Sequence, residues 1–392
     1  MSTTKETAER VRHLRPEGAY HVLARAQAME REGRDIIHLE VGEPDAPTFE
    51  PIREAGIAAI REGKTRYSPP AGLPELRQAI AEVAGKQRGL RLTPEQVIVS
   101  PGAKPNMFFP TLAVVEPGDE VLYPDPGFPT YAAMISVAGG RPVPVPLNEA
   151  HQFSFDLDAF DRLIGPRTRL IILNSPANPT GGVISPADLE HIADAAERHD
   201  CWVMSDEIYS RLVYDGFQAP SIASLPGMAE RTIIVDGFSK TYAMTGWRLG
   251  YGIMPERLAR VVELLITHSV GCSAHFTQIA AVVALRGPQD EVEALVESFR
   301  VRRDRVVAGL NAIPGISCQR PQGAFYAFPN VRNLGLSSDE LADRLLQEAG
   351  VALLPGTAFG ENGDGYLRLS YANSMENIEQ ALGRIEGFVK GL

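Results

Sequence analysis

The sequence predicts an α/β protein with a large domain built on a mostly parallel sheet flanked by helices. A smaller α/β domain is expected from the N- and C-terminal segments. Three observations carry this prediction. Short apolar runs alternate with amphipathic stretches through the middle of the chain, the pattern of a parallel sheet covered on both faces. From roughly Gln289 a long charged helix opens a block of mixed strands and helices. The segment before Pro51 carries no strand of the central series except Asp35–Leu39. A length of 392 residues suits more than one domain. The expected division is 1–50 for the N-terminal arm and first part of the small domain, 51–288 for the large domain, and 289–392 for the rest of the small one.

The elements follow in order. A helix over Pro74–Gln87 places Leu76, Ile80, Val83 and Ala84 on one stripe, with Pro74 in its first turn. Strand Val97–Ser100, a helix near Met107–Val115, strand Glu120–Tyr123 and a helix near Thr130–Ala138 come next. Strand Arg169–Leu173, helix Pro186–His199, and strands Cys201–Ser205, Thr232–Val235 and Leu249–Ile253 continue the series. A long helix starts at Pro255. In the last block a helix runs to Leu310, strands lie near Ala324–Phe328, Val351–Leu354 and Leu367–Ser370, and helices lie near Ser338–Glu348 and Met375–Val389.

Composition excludes several classes. The net charge of −11 argues against a nucleic-acid binder. No apolar run approaches the roughly 20 residues of a membrane span, and Met1–Arg12 lacks a secretory apolar region. Cys201, Cys272 and Cys318 form neither a disulfide framework nor a metal pair, which suits a cytoplasmic location. The histidines lack metal-ligand spacing, so no metal is expected.

In open parallel sheets, ligands bind beyond the carboxyl ends of the strands. Four stretches there carry chemistry. Ser100-Pro101-Gly102-Ala103-Lys104 is a small-residue turn before a helix, where backbone N–H groups attract a phosphate and Gly102 permits close approach. Asn174 to Gly181 (NSPANPTG) is a proline-stiffened loop that can hold an amide toward the strand ends. Asp206, in SDEIY, faces a poorly solvated crevice, which calls for a cation or several donors; as a structural residue it would simply cap a helix. Lys240, in GFSKTYAMTGWR, lies at the mouth of a buried strand, where desolvation makes a lysine a Schiff-base nucleophile, and Arg248 suits a bidentate phosphate contact.

The runs SPANPTGG (175–182), SDEIYSRLVYDG (205–216), FSKTYAMTGWRLGY (238–251) and YLRLSYANS (366–374) closely resemble the class I/II aminotransferases, fold-type-I pyridoxal-phosphate enzymes of the aspartate aminotransferase family. The resemblance extends from VGEPD (41–45) to the last strand. It implies pyridoxal 5'-phosphate as cofactor, with Lys240 carrying it as a Schiff base and then moving the proton. Asp206 resembles the carboxylate paired with the pyridine nitrogen, since a cationic ring is the better electron sink. Tyr209 and Asn178 resemble the pair bonded to the cofactor's phenolic oxygen. Gly102, Ala103, Ser239 and Arg248 resemble the phosphate cradle, with Lys104 beside them, and Phe128 in PDPGFPTY resembles the aromatic stacked on the ring. Tyr67 resembles the tyrosine that reaches the neighbouring subunit's phosphate, implying a homodimer with shared active sites. Arg368 resembles the arginine that binds the substrate α-carboxylate, and Gly42 and Asn178 the contacts beside it.

The implied reaction is ping-pong transfer of an amino group from an L-amino acid to a 2-oxo acid. Lys104 matches a lysine that some relatives use for a distal carboxylate, which tilts the donor toward aspartate or glutamate. Pro105 after it, and Phe128 in place of a tryptophan, depart from that pattern. The same scaffold supports β-elimination by C–S lyases, and a non-catalytic effector-binding domain is a further alternative.

Overall fold

The computed structural model describes residues 8–12, 14 and 17–392. Numbered along the chain, β1 is Ile37–His38. Eight strands follow: β2 (Val97–Ser100), β3 (Glu120–Asp125), β4 (Arg141–Asn148), β5 (Ser154–Phe155), β6 (Thr168–Asn174), β7 (Trp202–Asp206), β8 (Thr232–Gly237) and β9 (Gly250–Ile253). They form one sheet in the order β2-β9-β8-β7-β6-β3-β4-β5. β9 and β5 pair antiparallel with their neighbours, and the contacts among β8, β7, β6, β3 and β4 are all parallel. The mostly parallel sheet therefore matches the expected fold class.

Alternation along β6 shows how both faces are covered. Leu170 and Ile172 pack with helices Pro105–Val114, Thr130–Ala138 and Glu256–Thr267, whereas Ile171 and Leu173 pack with helix Pro186–Arg198. Successive side chains of a strand point to opposite faces, so a strand covered on both sides is apolar throughout.

The remaining strands are β10 (Tyr326–Ala327), β11 (Val351–Ala352), β12 (Leu354–Pro355) and β13 (Leu367–Ser370). β13 lies between β10 and β12 with antiparallel pairing. β1 pairs parallel with β11, which ties the N-terminal segment to the C-terminal block. Helices Asp290–Asn311 and Met375–Lys390 cover this region through Phe299, Val306, Ile378 and Ile385.

Several elements differ from expectation. β4 was hidden by Pro142, Pro144 and Pro146. Along a strand alternate residues direct their N–H positions to the same edge, and only β3 pairs with this stretch through residue 146. The Pro146 carbonyl accepts from the Asp156 N–H, on the edge away from β3. All three prolines thus face the edge where no ladder donor is required. Helices Gly18–Arg31, Glu50–Arg61 and His275–Arg286 were not expected. The strand expected over Ala324–Phe328 contracts to β10, and helix Ser338–Arg344 ends in a π turn, Leu345–Ala349.

A buried ion network fixes the carboxyl ends of β7 and β8. Arg88, on helix Pro74–Arg88, donates to Glu207 Oε2 at 2.6 Å and to Asp236 Oδ2 at 2.8 Å. Ser205 and Ser221 hydroxyls donate to Glu207 Oε1 at 2.9 and 2.6 Å. Removing the cation strands two buried carboxylates, which costs about 3–5 kcal/mol. Arg88→Met is expected to lose that much stability in urea unfolding; a loss below about 1 kcal/mol would show that the network is dispensable.

Candidate active site

The strand ends open into a cavity of about 570 Å³ between the large sheet and the segment containing β13. Asn174 closes β6 and Asp206 closes β7, while Ser239 and Lys240 follow β8. Gly42, Ala103, Lys104, Phe128, Asn178, Tyr209, Arg248 and Arg368 join them in its wall. Of the site residues expected from sequence, the structure brings all but Gly102 and Tyr67 to this lining. Gly102 stands directly behind it against Arg248. Tyr67 is 97% exposed and away from the cavity.

Asp206 is buried to 3% exposure and, among the described residues, meets no cationic side chain. Its Oδ2 accepts from the Tyr131 hydroxyl at 2.6 Å and its Oδ1 from the Ile208 N–H at 3.3 Å. Burial pushes its carboxyl up to about 7 against these two bonds, and the nearby Asp236 and Glu207 add to the rise. A cation at this place would restore the ionised form. Beside it, the Tyr209 and Tyr326 hydroxyls share a 2.7 Å hydrogen bond. Asn174 braces the adjoining loop by donating to the Asp206 carbonyl at 3.0 Å and accepting from the Asn178 N–H at 2.8 Å. The side-chain oxygen of Asn178 is buried with no hydrogen-bond partner among the described residues.

Lys240 Nζ donates to the Gly42 carbonyl and lies 5.7 Å from the centroid of the Phe325 ring. Burial lowers its pKa to about 8; Glu43 opposes the fall, while Arg368, Arg248 and Lys104 reinforce it. A substantial neutral fraction therefore exists near pH 8, as a nucleophile or proton acceptor requires.

The turn after β2 is a formed cradle. Gly102 has φ +86°, and a Cβ there would stand 2.3 Å from Arg248 Nη2. Ser100 Oγ donates to the Gly102 carbonyl and accepts from Asn106, each at 2.6 Å. Helix Pro105–Val114 begins directly after the turn, so the positive end of its dipole lies beside Arg248, which lines the cavity together with Ser239. This arrangement suits an anion.

Arg368, on β13, is 3% exposed and stacks over Tyr326 and Phe359 at 4.7 and 5.3 Å. It donates to the Glu40 carbonyl, yet its Nε is buried without a hydrogen-bond partner among the described residues. A Cβ on Gly42 would fall 2.1 Å from the Tyr326 hydroxyl, so only glycine lets this segment pass. Lys104 pairs with Glu17 and lies 5.1 Å from the Phe128 ring centroid.

Sequence reasoning missed Tyr131, Tyr326, Glu43 and the helix Gly18–Arg31, which together complete the wall or its hydrogen bonding. No motif spacing marks them, because each arrives by tertiary packing. Among the described residues no group of three or more His, Cys, Asp or Glu side chains could hold a metal ion.

The Lys240 amine is expected to titrate near pH 8 in the ligand-free protein, followed by the pH dependence of its reductive methylation. Glu43→Gln should move the midpoint lower still, because it removes the anion that favours the ammonium. A midpoint near 10.5 would contradict the burial argument.

Residues 34–385 match the family model for aminotransferase class I and II. The chain is 42% identical to aromatic-amino-acid aminotransferase 2 of Thermococcus litoralis, over 91% of this chain and 92% of that protein. It is 43% identical to an aspartate aminotransferase of Pyrococcus abyssi, over 90% and 91% respectively. Among solved structures, the Rhizobium meliloti aspartate aminotransferase superposes with a TM-score of 0.94 at 37% identity, covering 98% of this chain and 99% of that one. An alanine aminotransferase from Pyrococcus furiosus gives 0.94 at 34% identity, covering 99% and 100%. With the sheet, the strand-end cavity and these relationships in agreement, the chain belongs to the class I and II aminotransferase family and is an aminotransferase.

Proposed function

We propose that this aminotransferase binds pyridoxal 5'-phosphate in the strand-end cavity and moves an amino group from an L-amino acid to a 2-oxo acid in two half-reactions. The observation that carries this reading is one cavity holding a half-buried lysine of lowered pKa and a buried carboxylate with no cation beside it among the described residues. The fit extends to the unpartnered Asn178 oxygen and Arg368 Nε, and to the Gly102 cradle that a side chain would fill. When bound, the cofactor supplies an aldehyde for condensation with amines and a pyridinium that draws electrons from the substrate Cα.

The roles of the protein groups follow from their chemistry. The Asp206 carboxylate holds the pyridinium proton, and Tyr131 and the Ile208 N–H keep it aimed. Arg248, Ser239 and the N–H groups of Gly102 and Ala103 hold the phosphate at the start of the helix. Asn178 and Tyr209 would hold the phenolic oxygen, and Phe128 would pack against the ring. Arg368 grips the α-carboxylate through a planar fork that lysine lacks, with Gly42 and Asn178 alongside. Lys240, in its neutral form, takes the Cα proton at Nζ and redelivers it.

Further parts of this reading concern organisation. Tyr67, almost fully exposed, reaches the phosphate site of a second copy in a homodimer. The region 51–288 carries the cofactor, and segments 1–50 and 289–392 form the smaller domain that closes over the substrate. The enzyme works in the cytoplasm on small molecules, without nucleic acid or membrane. No helix among the described residues is long and apolar enough to cross a membrane. For the donor, relatives bear the names aromatic, aspartate and alanine aminotransferase. Lys104 lines the cavity beside Glu17 and Phe128, and in this reading it meets the distal group of the donor.

Lys240→Ala is expected to lower transamination by about 10⁴-fold or more and to abolish the visible absorbance and the borohydride-reducible adduct. An adduct that persists at another lysine refutes the assignment. Arg368→Gln should raise KM for every amino acid by about 100-fold, the size of a lost pair of charge-assisted hydrogen bonds. An unchanged KM would remove Arg368 from the carboxylate site.

A further inference from the structure

The charges around the cavity do not balance evenly. Its lining carries the cations Lys104, Lys240, Arg248 and Arg368 and the carboxylates Glu17, Glu43 and Asp206. In the reading above, Lys240, Arg248 and Asp206 serve the cofactor and Arg368 serves the α-carboxylate. Lys104 is then the one cation of the lining left for the donor's side chain, with Glu17 and Glu43 the two carboxylates left over. Glu17, directly before helix Gly18–Arg31, takes that cation: its Oε1 accepts from Lys104 Nζ and, at 3.3 Å, from the Thr130 hydroxyl. Glu43 is held by the Thr245 hydroxyl.

We infer that Glu17 masks Lys104 and directs this site toward amino donors with uncharged side chains and against dicarboxylic ones. The inference rests on the placement of Lys104 at the distal end proposed above. A distal carboxylate would have to displace Glu17 from Lys104 and then lie beside the displaced Glu17 anion. An uncharged side chain leaves the pair intact and packs against Tyr20, Leu23, Phe128 and Phe359, which also line the cavity. An ion pair this exposed adds little to stability, with side chains 46% and 27% accessible. Its consequence is selective: whichever carboxylate holds Lys104 excludes the other. Because Glu17 directly precedes helix Gly18–Arg31 and Lys104 belongs to the turn after β2, the pair also ties the start of that helix to the cavity wall.

The test compares L-aspartate and L-phenylalanine in single-turnover half-reactions of the cofactor-loaded enzyme. Unreactive succinate is titrated calorimetrically in parallel. The unchanged enzyme is expected to favour phenylalanine. Glu17→Gln should raise the aspartate-to-phenylalanine ratio of kcat/KM about tenfold, the scale of one partly screened charge contact, and tighten succinate by a similar factor. Adding Lys104→Ala should erase both gains. A ratio and a succinate affinity that stay within about twofold in Glu17→Gln overturn the inference, as does an unchanged enzyme that favours aspartate. If neither donor reacts, the aminotransferase reading of the cavity falls, while succinate binding still decides the role of Glu17.

Discussion

A carboxylate withdrawn from water at the end of a parallel strand is the constraint on which this site is organised. Asp206 ends β7 with only a tyrosine hydroxyl and a backbone N–H against it, and its proton affinity rises accordingly. Such a group is stable in ionised form only beside a cation, so the cavity is pre-charged for one. The scaffold holds this arrangement because the neighbouring carboxylates, Glu207 and Asp236, are neutralised from behind by Arg88. Without that guanidinium, three acidic groups would share one desolvated corner.

The second organising feature is the extended segment after β1. Its Glu40 carbonyl receives Arg368 and its Gly42 carbonyl receives Lys240. Two groups from distant parts of the chain are thereby positioned by backbone two residues apart. The Glu40 side chain is fully buried, and its Oε1 lies 2.7 Å from His38 Nδ1, with Glu30 3.1 Å from the other ring nitrogen. The two carboxylates hold the His38 imidazole up to about 9 despite partial burial, so this anchor stays charged at neutral pH. Tyr326 completes the arrangement by packing beneath Arg368 and bonding Tyr209.

Much of the site was legible because strand-end chemistry is local. Lys240, Asp206 and Asn178 each follow or close an apolar run, and an apolar run is readable from residue types alone. Gly102 was legible because a small-residue turn between a strand and a helix lets an anion approach its backbone closely. β4 was not, since its prolines are compatible with a strand only at an edge that local sequence does not specify. Tyr131, Tyr326 and Glu43 were not, because a side chain contributed by the packing of a distant element leaves no periodic trace. Lys104 was visible, but its partner Glu17 lies 87 positions away in sequence.

The sequence by itself determined the alternation of strands and helices, the order of the strand-end groups and the family to which they belong. These depend on hydrophobic period and short motifs, which are properties of neighbouring residues. Only the tertiary structure decided which charges face one another: Asp206 without a cation, Arg88 between two acids, and Lys104 already occupied by Glu17. Coulomb interactions and desolvation depend on distance and burial, and both are set by the fold.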